Sequence, residues 1–301
     1  MRTEALMYHP DLQSVLTYLL SSGGKRIRPV VTLLSGDMLG ADEENLLNLA
    51  AAVELLHTAT LVHDDLIDGA MLRRGIPTLN TRWSPAATVL AGDYIFARAA
   101  GFAAATNKVE LMAVFSETLA TIVSGEITQL FNSRGKACRE DYYKRIYAKT
   151  ASLFRASTYC AALISPVDQP VVNAMESFGY EIGMAFQIVD DILDFTGEQT
   201  TVGKPVANDL RQGLVTLPAI CFAENYPDNA DMQLVLNGVY DDVAGMNRLV
   251  DAIRASGAIQ QAMQEARQFV DRGLAVIASL PDRTEHRALE ELAHYIVDRD
   301  I

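Results

Sequence analysis

The sequence predicts an all-α protein, on two observations. Apolar residues recur at helical spacing in long segments divided by glycine and proline, and no stretch shows the sustained polar-apolar alternation that a sheet demands. Half of the 301 residues are hydrophobic, enough for a sizeable core. A first helix is placed near Asp11 to Leu20, ending at Ser21-Ser22-Gly23-Gly24, and a second runs from about Pro29 to Gly40. Asp42 is positioned to cap a third, which continues into the sequence His63-Asp64-Asp65. Ser84-Pro85 reads as N-cap and first-turn proline of a helix reaching Ala105, followed by one from Lys108 to Phe131. Further helices are expected over Arg139–Leu163, Pro170–Thr196 and Asp209–Glu224, then several shorter amphipathic ones. No low-complexity linker intervenes, so residues 1–301 are taken as one domain, with a motif-bearing part over 23–224 and a helical cap over 225–301.

Composition removes several classes. The longest apolar runs are broken, Leu46 to Val62 by Glu54 and His57, and Met184 to Phe195 by Gln187 and aspartates, which argues against a spanning helix. The opening Met-Arg-Thr-Glu-Ala-Leu has no targeting pattern, so a cytoplasmic protein with no stable membrane anchor is expected. Three cysteines without a CxxC pair suggest neither a disulfide framework nor a zinc site. A formal charge of −13 argues against nucleic acid as partner.

Two clusters carry the chemistry, Asp64-Asp65-Leu66-Ile67-Asp68 and Asp190-Asp191-Ile192-Leu193-Asp194. On a helix, Asp64 with Asp68 and Asp190 with Asp194 share a face, making two paired-carboxylate claws. Like charges so close disfavour ionisation unless a cation compensates, and hard oxygen donors suit Mg²⁺ completed by substrate phosphates and water. His57 and Thr60 lie on the same helical stripe as Asp64 and Asp68. Arg73-Arg74 follows the first cluster, and Gly23-Gly24-Lys25-Arg26-Ile27-Arg28-Pro29 puts further cations at a helix start, where backbone amides also favour anions. An enzyme that grips a diphosphate through metal is the reading these residues support.

The motifs GGKRIRP, HDDLID with RRG, GDYIF, Lys149-Thr150, FQIVDDILD and GKPVANDLRQGLVTLP stand in the order seen in the trans-isoprenyl diphosphate synthases, and the chain closely resembles that family from Gly23 to Pro218. The resemblance implies a single antiparallel helical bundle with a central active-site cavity, usually in a homodimer. It implies head-to-tail condensation of isopentenyl diphosphate with an allylic diphosphate. By the same resemblance Asp64, Asp68 and Asp190 ligate Mg²⁺, three ions with substrate bound, while Asp65, Asp191 and Asp194 support them. Arg73, Lys149 and Lys204 hold the allylic diphosphate. The Thr150 hydroxyl and the Gln187 carbonyl oxygen face the carbocation, and Gly24, Lys25, Arg28, His57 and Arg74 form the isopentenyl diphosphate site. Released pyrophosphate is the family's base. One departure stands out: Leu214 replaces a lysine that many members carry.

In short-chain members an aromatic residue commonly occupies the fourth or fifth position before the first aspartate. Here these are Thr60 and Ala59, so a product of geranylgeranyl length or longer is expected. Val53, Leu56, Met112, Phe115 and Leu119 are candidates for the tunnel below, although their spacing also suits plain core. His63 is read as structural and Arg26 as a surface or dimer residue. Two rivals remain: a non-catalytic subunit of a heteromeric synthase, which would usually lose an aspartate cluster, and a class I terpene cyclase, which would usually replace the second one. The product is a lipid, so transient membrane contact is compatible with the absence of an anchor.

Overall fold

A computed structural model of the chain describes residues 14–15, 17–19, 24–73, 75–132, 138–197 and 206–299. Within these the protein is all-α apart from one small hairpin. Its contacts divide into two units, one of residues up to Phe115 with Cys160–Asp168, the other of Ser116–Tyr159 with Gln169–Ile301. Residues 225–299 fall in the second unit, together with the helix that carries the second aspartate cluster.

In the first unit, α1 (Ile27–Leu39) ends at Gly40, whose φ of 77° is the left-handed turn that stops a helix. Asp42 then accepts a hydrogen bond from the Asn45 amide at 3.1 Å and caps α2 (Glu43–Ile67). Glu43 and Glu44 in its first turn further favour the positive end of the helix. A short hairpin follows, β1 (Leu72–Arg73) against β2 (Ile76–Pro77), turning at Gly75 with φ 75°. The polar-apolar pattern was too short to announce it, yet it fixes where Arg73 stands. Ser84 caps α3 (Pro85–Ala105) through the Ala87 amide at 3.3 Å, and α3 packs along α2. Their approach depends on Gly92, where an added Cβ would fall 2.1 Å from His63 Nε2. His63 is thus packed against α3, where it also contacts the Val89 carbonyl at 3.2 Å.

The helix α4 (Val109–Asn132) begins in the first unit and continues into the second. Where one helix was expected from Arg139 to Leu163, the chain forms α5 (Arg139–Ile146), a π-helical turn at Tyr147–Ala151, and α6 (Ser152–Leu163). Such π turns are frequent where α-helices carry functional sites, and this one carries Lys149 and Thr150. The centre of the second unit is α7 (Gln169–Thr196), packed against the π turn and against the amphipathic α12 (Ala258–Ile277).

The helix expected over Asp209–Glu224 is broken in two, α8 (Asn208–Arg211) and α9 (Leu217–Asn225). Gly213 supplies the break with φ 82° under the Tyr240 ring, and Pro218 suits only a helix start. The shorter helices α10 (Ala230–Leu236), α11 (Val243–Ala255) and α13 (Thr284–Asp298) complete the unit as expected.

Both α2 and α4 are long and apolar enough, by length and composition, to cross a membrane. In α2 the acids Glu54, Asp64 and Asp65 interrupt that face, and the helix spends its apolar surface on α1 and α3.

In the second unit α7 approaches α6 closely at Gly179. A Cβ on Gly179 would lie 2.1 Å from Thr158 Oγ1 and 2.6 Å from the Phe154 carbonyl oxygen. Alanine gains about 1 kcal/mol in helix propensity but overpacks by up to about 3 kcal/mol, so Gly179→Ala should lose a net ~2 kcal/mol. The urea unfolding midpoint reads this directly, and an unchanged midpoint would show that α6 yields without cost.

Candidate active site

Each aspartate cluster occupies the C-terminal end of a long helix, where the helix dipole is negative. Asp64 and Asp65 lie in the last turn of α2 and Asp68 caps it, its amide bonded to the Asp64 carbonyl at 2.8 Å. Asp190, Asp191 and Asp194 lie in the last turns of α7. Neither helix has a basic residue in its last turn. Anions placed there are disfavoured by roughly 0.3–1 kcal/mol each, before their mutual repulsion is counted. These ends therefore carry carboxylates that no cation of the same helix turn offsets.

In the first unit the cluster is already sorted. Asp65 is buried and accepts a hydrogen bond from Arg73 Nε at 2.8 Å, so it is held by the hairpin. Asp64 is half-buried and Asp68 exposed. Two turns earlier on α2, His57 Nε2 stands 3.1 Å from Arg28 Nη1. A guanidinium only donates, so His57 accepts through Nε2 and carries its proton on Nδ1. Lys25 and Gly24 precede Arg28 and are exposed, Gly24 at φ 137°. Of the expected isopentenyl diphosphate residues, the structure thus brings Arg28 and His57 together. Arg74 lies outside the described residues. Arg26, read from the sequence as a surface or dimer residue, is half-buried and paired with the buried carboxylate of Glu54.

Thr60 and Ala59 part company. Ala59 is 0% exposed and sealed in packing, whereas Thr60 is partly exposed, its hydroxyl donating to the His57 carbonyl at 2.8 Å.

In the second unit a chain of hydrogen bonds links the π turn to the cluster. The Thr150 hydroxyl donates to Gln187 Oε1 at 2.6 Å, and Gln187 Nε2 donates to Asp191 Oδ1 at 2.8 Å. The Tyr142 hydroxyl donates to the other oxygen, Oδ2, at 2.8 Å. Gln187 therefore has its amide orientation set from both ends. Asp191 is buried, and desolvation, with Asp209 nearby, pushes its carboxyl up to about 7 against the hydrogen bonds and Arg145. Asp194 accepts from the amides of Asn208 at 3.2 Å and Asp209 at 3.1 Å, anchoring α8. Lys149 Nζ lies 3.2 Å from Glu126. Lys204 lies outside the described residues.

Asp190 is the outlying carboxylate, and its partner was not foreseen. Arg299 Nη1 donates to Asp190 Oδ1 at 2.8 Å, while its Nη2 and Nε bind the carbonyls of Phe186 and Ile296, each at 3.1 Å. Its guanidinium also lies 4.3 Å over the Phe186 ring. A single arginine near the chain's end, 113 residues from Phe186, offers no sequence signal for such a contact. Tyr142 was missed for the same reason. Glu54 shows in the sequence only as an acid that breaks an apolar run, with nothing to point to Arg26 as its partner.

Among the described residues, no three His, Cys, Asp or Glu side chains converge as a ready-made metal cage. The donors present are nevertheless the right kind for Mg²⁺, which takes one or two carboxylates and completes its shell with phosphate oxygens and water. Paired oxygen donors at cation-poor helix ends fit that ion.

Asp191 gives a stability signature. Its carboxyl titrates near 3.8 ordinarily and near 7 in the fold, so between these values the folded chain holds the extra proton. Stability therefore falls as pH rises from about 4 to about 7, by at most ~1.4 kcal/mol per pH unit. In EDTA, Asp191→Asn should flatten that part of the urea-midpoint profile. Parallel profiles for the two proteins would rule the assignment out.

The polyprenyl synthetase family profile matches residues 9–253. Component 2 of the heptaprenyl diphosphate synthase of Geobacillus stearothermophilus is 39% identical over 284 residues, covering 94% of this chain and 88% of the relative. The octaprenyl diphosphate synthase of Escherichia coli K12 is 34% identical over 288 residues, with the same coverage. Among solved structures, the polyprenyl synthase from Caulobacter crescentus CB15, in complex with calcium and isoprenyl diphosphate, matches with a TM-score of 0.90 at 34% identity. That match covers 100% of this chain and 93% of the other, so the all-α fold is that of the polyprenyl synthases.

Proposed function

The chain belongs to the polyprenyl synthetase family and is a trans-prenyltransferase, and from that premise we propose how its residues elongate a long-chain polyprenyl diphosphate. The observation that carries the reading is the pair of aspartate clusters at helix ends that supply no cation of their own. Isopentenyl diphosphate condenses with an allylic diphosphate, 1′ to 4, and the whole chain acts as one synthase domain.

Asp64, Asp68 and Asp190 hold Mg²⁺, three ions when substrate is bound. Bound Mg²⁺ supplies Lewis-acid stabilisation of the leaving diphosphate. Asp65, Asp191 and Asp194 shape the clusters through Arg73, through Tyr142 and Gln187, and through the α8 amides. Arg73 spends Nε on Asp65, so its terminal nitrogens are the ones offered to the allylic diphosphate, which Lys149 and Lys204 also bind in this reading. Lys149 turns to phosphate from Glu126.

The allylic C–O bond breaks, its electron pair leaving with the diphosphate. Gln187 Oε1, with Thr150 hydrogen-bonded to it, presents a fixed dipole to the carbon cation without attacking it. Gly24, Lys25, Arg28, His57 and Arg74 hold isopentenyl diphosphate so that its double bond reaches that carbon. A proton then passes from the adduct to the released pyrophosphate, restoring the double bond. Arg28 and His57 are already in contact and need little reorganisation.

The growing tail runs past Thr60. A ruler must border open space, which Thr60 does and Ala59 does not. Incubation with isopentenyl diphosphate, Mg²⁺ and allylic primers of several lengths, followed by chromatography of dephosphorylated products, should give a product of geranylgeranyl length or longer. Asp64→Ala and Asp190→Ala should each lose several orders of magnitude in kcat while staying folded. Thr60→Phe should shorten the product ladder. Ala59→Phe should chiefly destabilise, by about 1–3 kcal/mol. An unchanged ladder for Thr60→Phe would remove it as the ruler, and no elongation by the native chain alone would favour a role as one component of a larger enzyme.

Along α4, Val123, Ile127, Leu130 and Phe131 form one apolar stripe, exposed at 46%, 52%, 58% and 79%. So much contiguous exposed apolar surface marks a protein contact, and its occupant in this reading is a second copy of the chain. The second reading is a different partner subunit, favoured by the likeness to a numbered component of heptaprenyl diphosphate synthase. Ile127→Glu should turn the dimer into a monomer by light scattering, whereas a native chain that is already monomeric would support the separate partner. The reaction is placed in the cytoplasm, with transient membrane contact when the lipid leaves.

A further inference from the structure

Among the described residues, only Arg26, Asn107 and Ala207 hold a positive φ without being glycine. Arg26 sits at φ 51°, ψ 34°, immediately before α1, and its side chain makes no capping bond. That conformation is disfavoured for any residue with a Cβ, and glycine or asparagine would be the ordinary choices. Arginine is therefore held in place by its side chain, and that side chain reaches Glu54.

Glu54 is 6% exposed, in the middle of α2 between Val53 and Leu55. A buried carboxylate is tolerated when a cation and hydrogen bonds compensate it. Three residues further along the same face, His57 meets Arg28. Two contacts thus clamp the segment Lys25–Arg28 onto α2: Arg26 on Glu54, and Arg28 on His57. The first contact holds the left-handed turn, and the turn decides where Lys25 and Arg28 point.

We propose that Glu54 is a positioning residue for isopentenyl diphosphate, fixing through Arg26 the backbone turn that aims Lys25 and Arg28 at the diphosphate. Glu54 touches no substrate. The inference rests on the assignment of Lys25, Arg28 and His57 to that substrate.

Steady-state kinetics on the purified full chain separate the possibilities. Glu54→Gln should raise KM for isopentenyl diphosphate about tenfold, with kcat and KM for the allylic primer within twofold of native. The paired variant Arg26→Met with Glu54→Met leaves no buried charge and keeps side-chain bulk, and it should show the same rise. Recovery of the native KM in the paired variant would overturn the proposal, because the two charges would then only satisfy each other. So would a native KM in folded Glu54→Gln; if that variant does not fold, by circular dichroism, the paired variant alone decides. Arg28→Ala serves as the control. If it raises this KM and the Glu54 variants do not, the positioning role fails and the substrate site stands; if Arg28→Ala itself has no effect, the site assignment fails and the proposal with it.

Discussion

Repulsion among carboxylates at the negative ends of two helices is the constraint around which the rest of this structure is arranged. Asp64 and Asp68 close α2, and Asp190, Asp191 and Asp194 crowd the end of α7, with no basic residue in either last turn. A protein of formal charge −13 has no surplus of cations to spread over such ends. It relieves part of the repulsion with specific donors, and in the proposed function metal and substrate relieve the remainder.

How the donors are distributed explains why the six acids of the two clusters do not do the same work. Asp65 belongs to Arg73, Asp191 to Tyr142 and Gln187, and Asp194 to the amides that open α8. These three carboxylates fasten a hairpin, a π turn and a short helix to the helix ends. Asp68 is exposed and Asp64 and Asp190 are half-buried, with Asp190 steadied by a nearly buried Arg299. Ligands whose outer contacts are fixed hold their orientation at the metal, and this is the arrangement the proposed roles require. Electrostatic pressure at each helix end therefore serves both the local fold and the chemistry.

What the sequence disclosed follows the same line. Helices were legible where a cap and a helical period coincide, as at Asp42 with α2 and Ser84 with α3. They were misplaced where tertiary packing overrode local pattern: Tyr240 over Gly213 breaks the run from Asp209 to Glu224, and the π turn at Tyr147–Ala151 answers to packing on α7. The aspartates, Gln187 and Thr150 were legible because their order is written in motifs. Tyr142, Glu54 and Arg299 were not, since each acts on a residue distant in the chain or through another side chain. Ala59 and Thr60 are adjacent letters of similar size, and only burial separates the packed one from the one beside open space.

An acidic protein that must hold polyanions faces a further difficulty, because mobile lysines and arginines would be drawn to its own carboxylates. Here the basic residues are tied before substrate arrives: Arg73 by Nε to Asp65, Arg28 to a neutral histidine nitrogen, Arg26 to a buried glutamate. Each tie leaves donors of the guanidinium fork, or of a neighbouring basic residue, for phosphate oxygens. A neutral partner suits Arg28 in particular, since His57 orients the guanidinium without neutralising its charge. In the proposed site, acids placed beneath the basic segment thus do not weaken the hold on an anion; they give it a fixed shape.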